Sequence, residues 1–365
     1  MAKSGDSPAC YALVHSGLEE IAAEEIRTDF RGDVKKAAKS IVVFRVPEVD
    51  RHILNLRTTE DVYLFGWGTD ELSFRAVDLD SIAKWTRRDA DWTEMLKVHR
   101  TVRPKPSGKP SYRLVVQMTG EHGYRRIDAS KAFRKGLGDA IPSSWREAEE
   151  NAAVEFWLSI HGNTAVSGIR LSDRSMRHRT YKFEHFAASL RPTVAAAMAR
   201  LANLKPNQTI VDPFCGAGTI LAETLQAIKI LSKGNLEFWQ PTLIGGDLDP
   251  HHLRSAQTNL RNLGEFRLDE WDARRLPLED ASVDRVVSNP PFGKQMSSPE
   301  AIGPLYRQAI AEMDRVLRPR GQVVLLTADA PVMKEAIKEI GWKQSDYVPI
   351  RILGQPAVIL GYRKG

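Results

Sequence analysis

Two short motifs constrain the fold of this chain more than any other feature. Residues 211–219 read Val-Asp-Pro-Phe-Cys-Gly-Ala-Gly-Thr, and residues 289–293 read Asn-Pro-Pro-Phe-Gly. The first motif follows the apolar run 209–211 and precedes the apolar run 220–228, which predicts a strand, a glycine turn and a helix. The second follows another predicted strand, 283–288. Both motifs therefore fall at strand carboxyl ends, the edge where open α/β sheets bind ligands.

The acidic residues between the motifs indicate what kind of ligand this edge holds. Leu221 stands where Gly-x-Gly-x-x-Gly would have its third glycine, which disfavours a dinucleotide site, and the absence of Gly-Lys-Ser/Thr disfavours a P-loop. Asp247 and Asp272 follow two further predicted strands. One such carboxylate can accept hydrogen bonds from ribose hydroxyls and the other from an adenine amine. The residues predict an adenosine-containing ligand whose reactive end faces Asn289–Phe292.

Strands and helices alternate regularly after residue 191. This pattern predicts a mostly parallel sheet with helices on both faces. The last two predicted strands, 347–353 and 357–362, form a hairpin that would supply an antiparallel edge. Residues 231–242 interrupt the pattern, and their role is not assigned.

The N-terminal half follows another pattern. A β-α-β-α-β arrangement over residues 11–67 predicts a small ferredoxin-like unit. The sequence then predicts one helix over 77–98, a strand at 112–118 and a helix over 130–141. Two strands flank a turn at 161–163.

Charge and composition narrow the classes of partner. The net charge is +6 and the pI is about 9.2, which favours a polyanion. Residues 97–135 hold 11 Lys or Arg against two acids, and residues 170–182 hold five against one. No apolar run is as long as a membrane helix. With only Cys10 and Cys215, the sequence predicts a cytoplasmic protein without disulfides or a metal site, and we expect no membrane partner. The sequence leaves the oligomeric state open and favours a monomer.

The motifs carry a family resemblance. Asp-Pro-Phe-Cys-Gly-Ala-Gly-Thr followed by Asn-Pro-Pro-Phe resembles the S-adenosylmethionine-dependent amino-methyltransferases, which methylate an exocyclic amine of adenine or guanine. The opening at residues 10–26 and the pattern over 113–177 resemble RNA methyltransferases with a THUMP domain. The resemblance implies a C-terminal Rossmann-fold methyltransferase domain, preceded by a ferredoxin-like domain and a THUMP α+β domain. The predicted boundaries are 1–70 for the ferredoxin-like domain, 71–174 for THUMP, 175–190 for a linker and 191–365 for the methyltransferase.

The chemistry of the site assigns roles to individual residues. An exocyclic amine is a poor nucleophile, and we expect Asn289 and the Pro290 carbonyl to accept its hydrogen bonds while Phe292 stacks on the base. The residues predicted to bind S-adenosylmethionine are Ala187, Ala188, Ser189, Leu190, Asp212, Pro213, Cys215, Gly216, Ala217, Gly218, Thr219, Asp247, Leu248, Asp272, Ala273 and Asn289. Those predicted to contact RNA are Lys131, Arg134, Lys135, Arg177, Arg179 and Lys294.

The resemblance also points to a substrate. A THUMP-like half joined to this catalytic core is similar to the tRNA guanine-N2 methyltransferases, which implies tRNA as partner and guanosine at acceptor-stem position six as target. Alternatives remain open at this point. They are a guanine elsewhere in tRNA or in ribosomal RNA, an adenine-N6 methyltransferase, and an RNA-binding scaffold with an inactive site.

Overall fold

The computed structural model describes residues 7–104, 108, 110–186, 189–292, 302–352 and 354–365. The chain forms two compact units, one of residues 1–14 and 23–176 and the other of residues 15–22 and 177–365. Within the described residues, no helix is both long and apolar enough to cross a membrane.

The first unit is built on one eight-stranded sheet, of order β2-β3-β1-β4-β8-β7-β5-β6. Only the pairings of β5 with β6 and with β7 are parallel. Its strands are β1 (Cys10–Val14), β2 (Asp33–Ala38), β3 (Ile41–Arg45), β4 (Thr59–Thr69), β5 (Ser111–Thr119), β6 (Arg146–Glu147), β7 (Val154–His161) and β8 (Thr164–Arg170). The helices of this part of the chain are α1 (Glu19–Asp29), α2 (Asp78–Arg88), α3 (Trp92–Val102), α4 (Arg126–Leu137) and the short α5 (Arg174–His178).

Several N-terminal elements differ from their predicted form. The sequence prediction missed β2, whose residues Asp-Val-Lys-Lys-Ala-Ala are mostly exposed at the edge of the sheet. The predicted helix 77–98 is two helices, because Asp91 caps a new one by accepting from the Glu94 amide at 3.0 Å. Helix α4 begins four residues before the predicted start at 130.

Strands from both sides of the predicted boundary at residue 70 belong to the same sheet. β4 pairs antiparallel with β8, and Tyr63 lies opposite Arg170. Tyr11 and Tyr63 stack at 4.5 Å, with Trp157 edge-on to Tyr63. The division of this region into a ferredoxin-like and a THUMP domain stays a prediction.

The second unit is a seven-stranded sheet of order β11-β10-β9-β12-β13-β15-β14. The first five strands are parallel, and β15 is antiparallel to both neighbours. The predicted parallel sheet with an antiparallel edge hairpin is confirmed. The strands are β9 (Thr209–Asp212), β10 (Thr242–Asp247), β11 (Arg267–Glu270), β12 (Val283–Ser288), β13 (Leu317–Thr327), β14 (Lys343–Ile352) and β15 (Gln355–Arg363). The helices are α6 (Pro192–Leu201), α7 (Thr219–Leu231), α8 (Leu236–Trp239), α9 (Pro250–Leu260), α10 (Ile302–Val316) and α11 (Ala330–Lys338).

Both faces of this sheet are buried, because successive strand residues point to opposite sides. In β9, Ile210 packs in the core that contains α6 and α7, whereas Val211 packs in the core that contains α10 and α11. Leu18, from residues 15–22 of this unit, is fully buried in the first of these cores. The helices cover the two faces of the sheet, and the site lies at the carboxyl ends of β9, β10, β11 and β12.

Candidate active site

Two backbone amides of the glycine turn after β9 donate hydrogen bonds to the neighbouring strand β10. The Cys215 amide donates to the Gly246 carbonyl at 2.9 Å, and the Gly216 amide donates to Asp247 Oδ2 at 2.9 Å. Gly216 and Gly218 have φ of 50° and 75°, a region that glycine enters without steric cost. A Cβ on Gly216 would meet no atom within 4 Å. The turn therefore presents bare backbone on this side.

Asp212, at the end of β9, is buried and only half satisfied. Its Oδ1 accepts from Ser288 Oγ at 2.6 Å and from the Phe214 amide at 3.2 Å. Its Oδ2 has no hydrogen-bond partner among the described residues. Burial raises the pKa of Asp212 to about 7, although the Ser288 hydrogen bond opposes this rise. Ser288 directly precedes Asn289, so this bond joins the two sequence motifs.

Asp247, at the end of β10, anchors the next part of the site. Its Oδ1 accepts from the Asp249 amide and from His252 Nδ1, both at 3.0 Å. Phe186 packs on His252 with ring centroids 4.5 Å apart. Asp247 keeps lone pairs for further donors, since a carboxylate accepts about four hydrogen bonds.

Asp272, after β11, forms a close ion pair. Arg274 Nε and Nη2 donate to its carboxylate at 2.9 and 2.5 Å. The Arg274 hydrogen bond is the main cause that lowers the pKa of Asp272, which therefore stays ionised. Before it, Trp271 donates from Nε1 to the Pro213 carbonyl at 3.2 Å, and its indole occupies the space that a side chain at Gly246 would need.

The Asn-Pro-Pro-Phe segment follows β12 and is held from α10. Tyr306 Oη donates to the Pro291 carbonyl at 3.1 Å and lies 3.2 Å from Thr327 Oγ1. Asn289 Oδ1 is buried and has no hydrogen-bond partner among the described residues. A buried acceptor without a partner is costly and points to a donor supplied by a ligand.

These strand ends enclose one cavity of about 600 Å³. It brings together most of the residues that the sequence predicted to bind the cofactor, although their binding roles stay predictions. The predicted residues in its lining are Ser189, Leu190, Asp212, Pro213, Cys215, Gly216, Ala217, Thr219, Asp247, Leu248, Asp272, Ala273 and Asn289. Gly218, Pro290 and Phe292 are outside this lining. Ala187, Ala188 and Lys294 lie outside the described residues.

The sequence prediction missed other residues of the lining. They include His252, Trp271, Arg274 and Gln308. The position of Arg274, two residues after a predicted ligand-binding aspartate, was an available signal. His252 and Gln308 lie on helices and reach the cavity only through tertiary packing, which the sequence alone does not specify.

The residues predicted to contact RNA have different environments. Lys131 and Lys135 are exposed on α4, whereas Arg134 forms an ion pair with Glu147. Arg177 is half-buried on α5. Arg179 is buried, and its Nε donates to Glu223 at 3.1 Å. The prediction that Arg179 contacts RNA is therefore wrong, because its side chain is buried.

The fold and the site together define a class. A seven-stranded sheet of this order, with acidic residues after three adjacent strands and Asn-Pro-Pro-Phe after the fourth, is that of a Rossmann-like methyltransferase domain. Residues 179–354 match the family UPF0020, described as RMKL-like, methyltransferase domain. This part of the chain belongs to that family, which confirms the resemblance read from the motifs.

Comparison with relatives agrees with this assignment. The chain is 33% identical over 267 residues to a Bos taurus protein named tRNA (guanine(6)-N(2))-methyltransferase THUMP3, covering 68% of this chain and 50% of that protein. It thus spans about half the length of this relative. It is 26% identical over 332 residues to the Thermus thermophilus tRNA (guanine(6)-N2)-methyltransferase, covering 89% and 91% of the two chains. The crystal structure of TrmN from Thermus thermophilus superposes with a TM-score of 0.77 at 26% identity, covering 98% and 99%.

The residues of the cavity fit S-adenosylmethionine, the cofactor predicted from the sequence. Asp212 Oδ2 and Asn289 Oδ1 are buried acceptors that require donors. The backbone at Gly216 is open, and Asp247 and Asp272 add carboxylates at the next two strand ends. Among the described residues, no group of three or more His, Cys, Asp or Glu side chains could hold a metal ion.

Proposed function

We propose that the protein transfers a methyl group from S-adenosylmethionine to the exocyclic N2 amine of a guanosine in tRNA, at position six of the acceptor stem. The observation that carries the proposal is Asn289 Oδ1, a buried acceptor without a partner among the described residues, in the lining of a cavity that already holds three carboxylates. The names of the bovine and Thermus relatives support the substrate and the position.

S-adenosylmethionine, when bound, supplies an electrophilic methyl group on a sulfonium. Asp247 would accept hydrogen bonds from the ribose hydroxyls, and Asp272 would accept one from the adenine amine. Asp212 would accept a hydrogen bond from another donor group of the cofactor. The protein's own contribution to the reaction is positioning. Asn289 Oδ1 and the Pro290 carbonyl accept hydrogen bonds from the guanine N2 amine, which orients its lone pair toward the methyl group.

The rigidity of the Asn-Pro-Pro-Phe segment supports this role. Two prolines fix φ along the segment, and Tyr306 holds the Pro291 carbonyl. The amine needs no strong base before transfer, because methyl transfer gives a cationic amine, which is acidic and readily loses its proton to solvent. A guanine in an acceptor stem is paired and stacked, so it must leave the helix to reach the cavity, where we propose that Phe292 stacks on it.

The proposed RNA contact uses a pair of packed helices. Gly136 of α4 lies so close to α2 that a Cβ there would meet Thr86 Cβ at 2.5 Å. Arg87 of α2 donates to the Lys135 carbonyl at 3.2 Å. We call this the helix-pair surface, and its exposed cations are Lys84, Arg87, Arg88, Lys131, Arg134 and Lys135. Clustered cations of this kind bind phosphates.

We also propose a cytoplasmic location, since both cysteines are free.

The test is a methylation assay on an unmodified tRNA transcript. The protein is incubated with the transcript and S-adenosylmethionine, the RNA is digested, and the nucleosides are identified by mass spectrometry. We expect N2-methylguanosine, mapped to position six by fragment analysis. N6-methyladenosine would contradict the guanine assignment. Cofactor binding without any product on tRNA would contradict the tRNA assignment and make ribosomal RNA the next substrate to test.

The matched variant is Asn289→Ala. It removes the acceptor proposed for the amine and leaves the helix-pair surface intact. We expect turnover to fall at least roughly 100-fold, while affinity for the transcript stays within about twofold. A large loss of RNA affinity would show that Asn289 is not the group that positions the amine.

A further inference from the structure

Asn259, near the end of α9, is buried and makes four hydrogen bonds with its side chain. Its Oδ1 accepts from the Phe183 and Glu184 amides at 2.8 and 2.9 Å. Its Nδ2 donates to the Glu184 and Ala217 carbonyls at 3.1 and 3.0 Å. All the partners are backbone groups. The amide is therefore saturated, and it contacts two separate stretches of chain.

The two stretches form different parts of the cavity wall. Ala217 belongs to the glycine turn after β9. Phe183 and Glu184 belong to residues 179–186, which we call the anchor segment, and which ends at Phe186 in the cavity lining. One buried side chain thus fixes the distance between the glycine turn and the anchor segment.

Other contacts hold the anchor segment to α7 and α9. Glu223 of α7 is buried and accepts from Arg179 Nε at 3.1 Å and from Tyr181 Oη at 2.7 Å. At the other end of the segment, Phe186 packs on His252. His252 and Asn259 are seven residues apart on α9, which places them on one face of that helix. His252 is also hydrogen-bonded to Asp247. This face of α9 therefore connects the anchor segment to Asp247, the residue predicted to bind the ribose.

We propose that Asn259 is a positioning residue for the cofactor, which sets the width of the cavity by joining the anchor segment to the glycine turn. The proposal rests on the proposed function only in taking S-adenosylmethionine as the ligand. Asn259 is outside the lining of the cavity, so its effect on the ligand passes through Phe186 and the glycine turn.

The test compares Asn259→Ala and Asn259→Asp with the wild type. The Asp variant keeps the acceptor for two amides but places carboxylate oxygen against the Glu184 and Ala217 carbonyls. We expect the Kd for S-adenosylmethionine, measured by calorimetry, to rise at least tenfold in both variants. The KM for the cofactor should rise in parallel, while kcat at saturating cofactor stays within threefold, because the Asn289 segment is unchanged.

Hydrogen exchange supplies a direct structural readout. The amides of Phe183 and Glu184 should exchange faster in Asn259→Ala, because they lose the bond to Oδ1, whereas Asn259→Asp keeps this acceptor. Trp342→Phe is the control. It removes one hydrogen bond, from Trp342 Nε1 to Asp314 at 2.8 Å, in the same unit but outside the cavity lining. We expect its Kd to stay within twofold even if its Tm falls.

Unchanged cofactor affinity in Asn259→Ala, with faster exchange at Phe183 and Glu184, would overturn the proposal. If these variants do not fold, Tyr181→Phe tests the same segment more gently, because it removes only the hydroxyl group, which donates to Glu223. A Kd raised two- to fivefold supports the proposal, and an unchanged Kd contradicts it. A wild type that binds the cofactor but methylates no guanine contradicts the proposed function alone, since the Kd comparison remains valid.

Discussion

Tyr306 connects the Asn-Pro-Pro-Phe segment to the packed core of the second unit. It is 1% exposed, and its hydroxyl reaches the Pro291 carbonyl. A hydrogen bond of this kind contributes about 1 kcal/mol. The contact comes from α10, a separate element from β12, and therefore acts as an external support for a short loop.

We expect Tyr306→Phe to lower kcat about fivefold and the free energy of unfolding by about 1 kcal/mol, because the Pro291 carbonyl no longer has its donor. Steady-state kinetics at saturating cofactor and RNA would measure the first effect. Tyr347→Phe changes a half-exposed tyrosine of β14 and should leave kcat unchanged. Equal kcat for Tyr306→Phe and the wild type would show that the loop does not need this support.

Asp212 makes stability depend on pH. Its pKa is about 7 in the folded chain and 3.8 when unperturbed, so the folded state binds the proton more tightly. The stabilisation is fully present below pH about 4 and is lost as pH rises through about 7. A rise of this size corresponds to on the order of 4 kcal/mol.

Asp212→Asn should flatten this pH dependence, because an amide does not titrate. Chemical unfolding of the cofactor-free protein between about pH 4.5 and about pH 8 would measure it, since this range lies above the unperturbed pKa and spans the folded one. Glu339→Gln, an exposed change after α11, serves as the control. The same slope in Asp212→Asn and the wild type would contradict the assigned protonation.

At the scale of elements, the helix-pair surface makes a prediction about salt. Removal of one protein–phosphate ion pair reduces the slope of log K against log salt by roughly 0.7 to 0.9. We expect Lys131→Ala with Lys135→Ala to weaken tRNA binding and to reduce this slope by roughly one to two. Lys338→Ala with Lys343→Ala removes two exposed cations of the second unit and is the matched control. An unchanged slope in the first variant would remove α4 from the RNA path.

Elements with strong apolar periodicity were predictable from the sequence, and others were not. The strands β9, β10 and β12 consist mostly of buried residues, and they end in Asp or directly precede Asn289. Both their type and the sheet edge at which the cavity lies were therefore predictable. β2 was missed because an exposed edge strand with two lysines has no apolar signature. The break between α2 and α3 had a signal, Asp91 three residues before Glu94, which is typical of a helix start.

The same distinction holds for the candidate site. Residues in the two motifs were predictable, since chemistry and position along the chain coincide there. The hydrogen bonds that hold the motifs in place were not predictable. Ser288 to Asp212, Tyr306 to Pro291 and Asn259 to Ala217 join residues that are 15 to 76 positions apart. Such pairs depend on the packing of whole elements, and a single sequence does not record it.

At the scale of the whole molecule, residues 15–22 matter because they belong to the second unit although they precede most of the first. Leu18 is fully buried in the core that also contains Met198 and Ile359. We expect Leu18→Ala to destabilise the second unit by roughly 2 to 5 kcal/mol, the range typical of a deleted buried side chain.

Urea unfolding in the presence and absence of S-adenosylmethionine would assign this loss of stability to the second unit. Leu231→Ala, at a half-exposed position at the end of α7, is the control and should change stability by less than about 0.5 kcal/mol. An effect that small for Leu18→Ala would mean that the second unit does not depend on residues 15–22.

The position of β15 has a consequence for biosynthesis. This strand comes last in the sheet's chain order, yet it lies between β13 and β14 and pairs with both. Until residues 355–363 have been synthesised, β13 has an open edge and β14 has no strand to join. Most of the second unit is therefore synthesised while the β13 edge of its parallel sheet is unpaired, a state prone to association with other chains. Chaperone dependence during translation should be greatest just before β15 emerges.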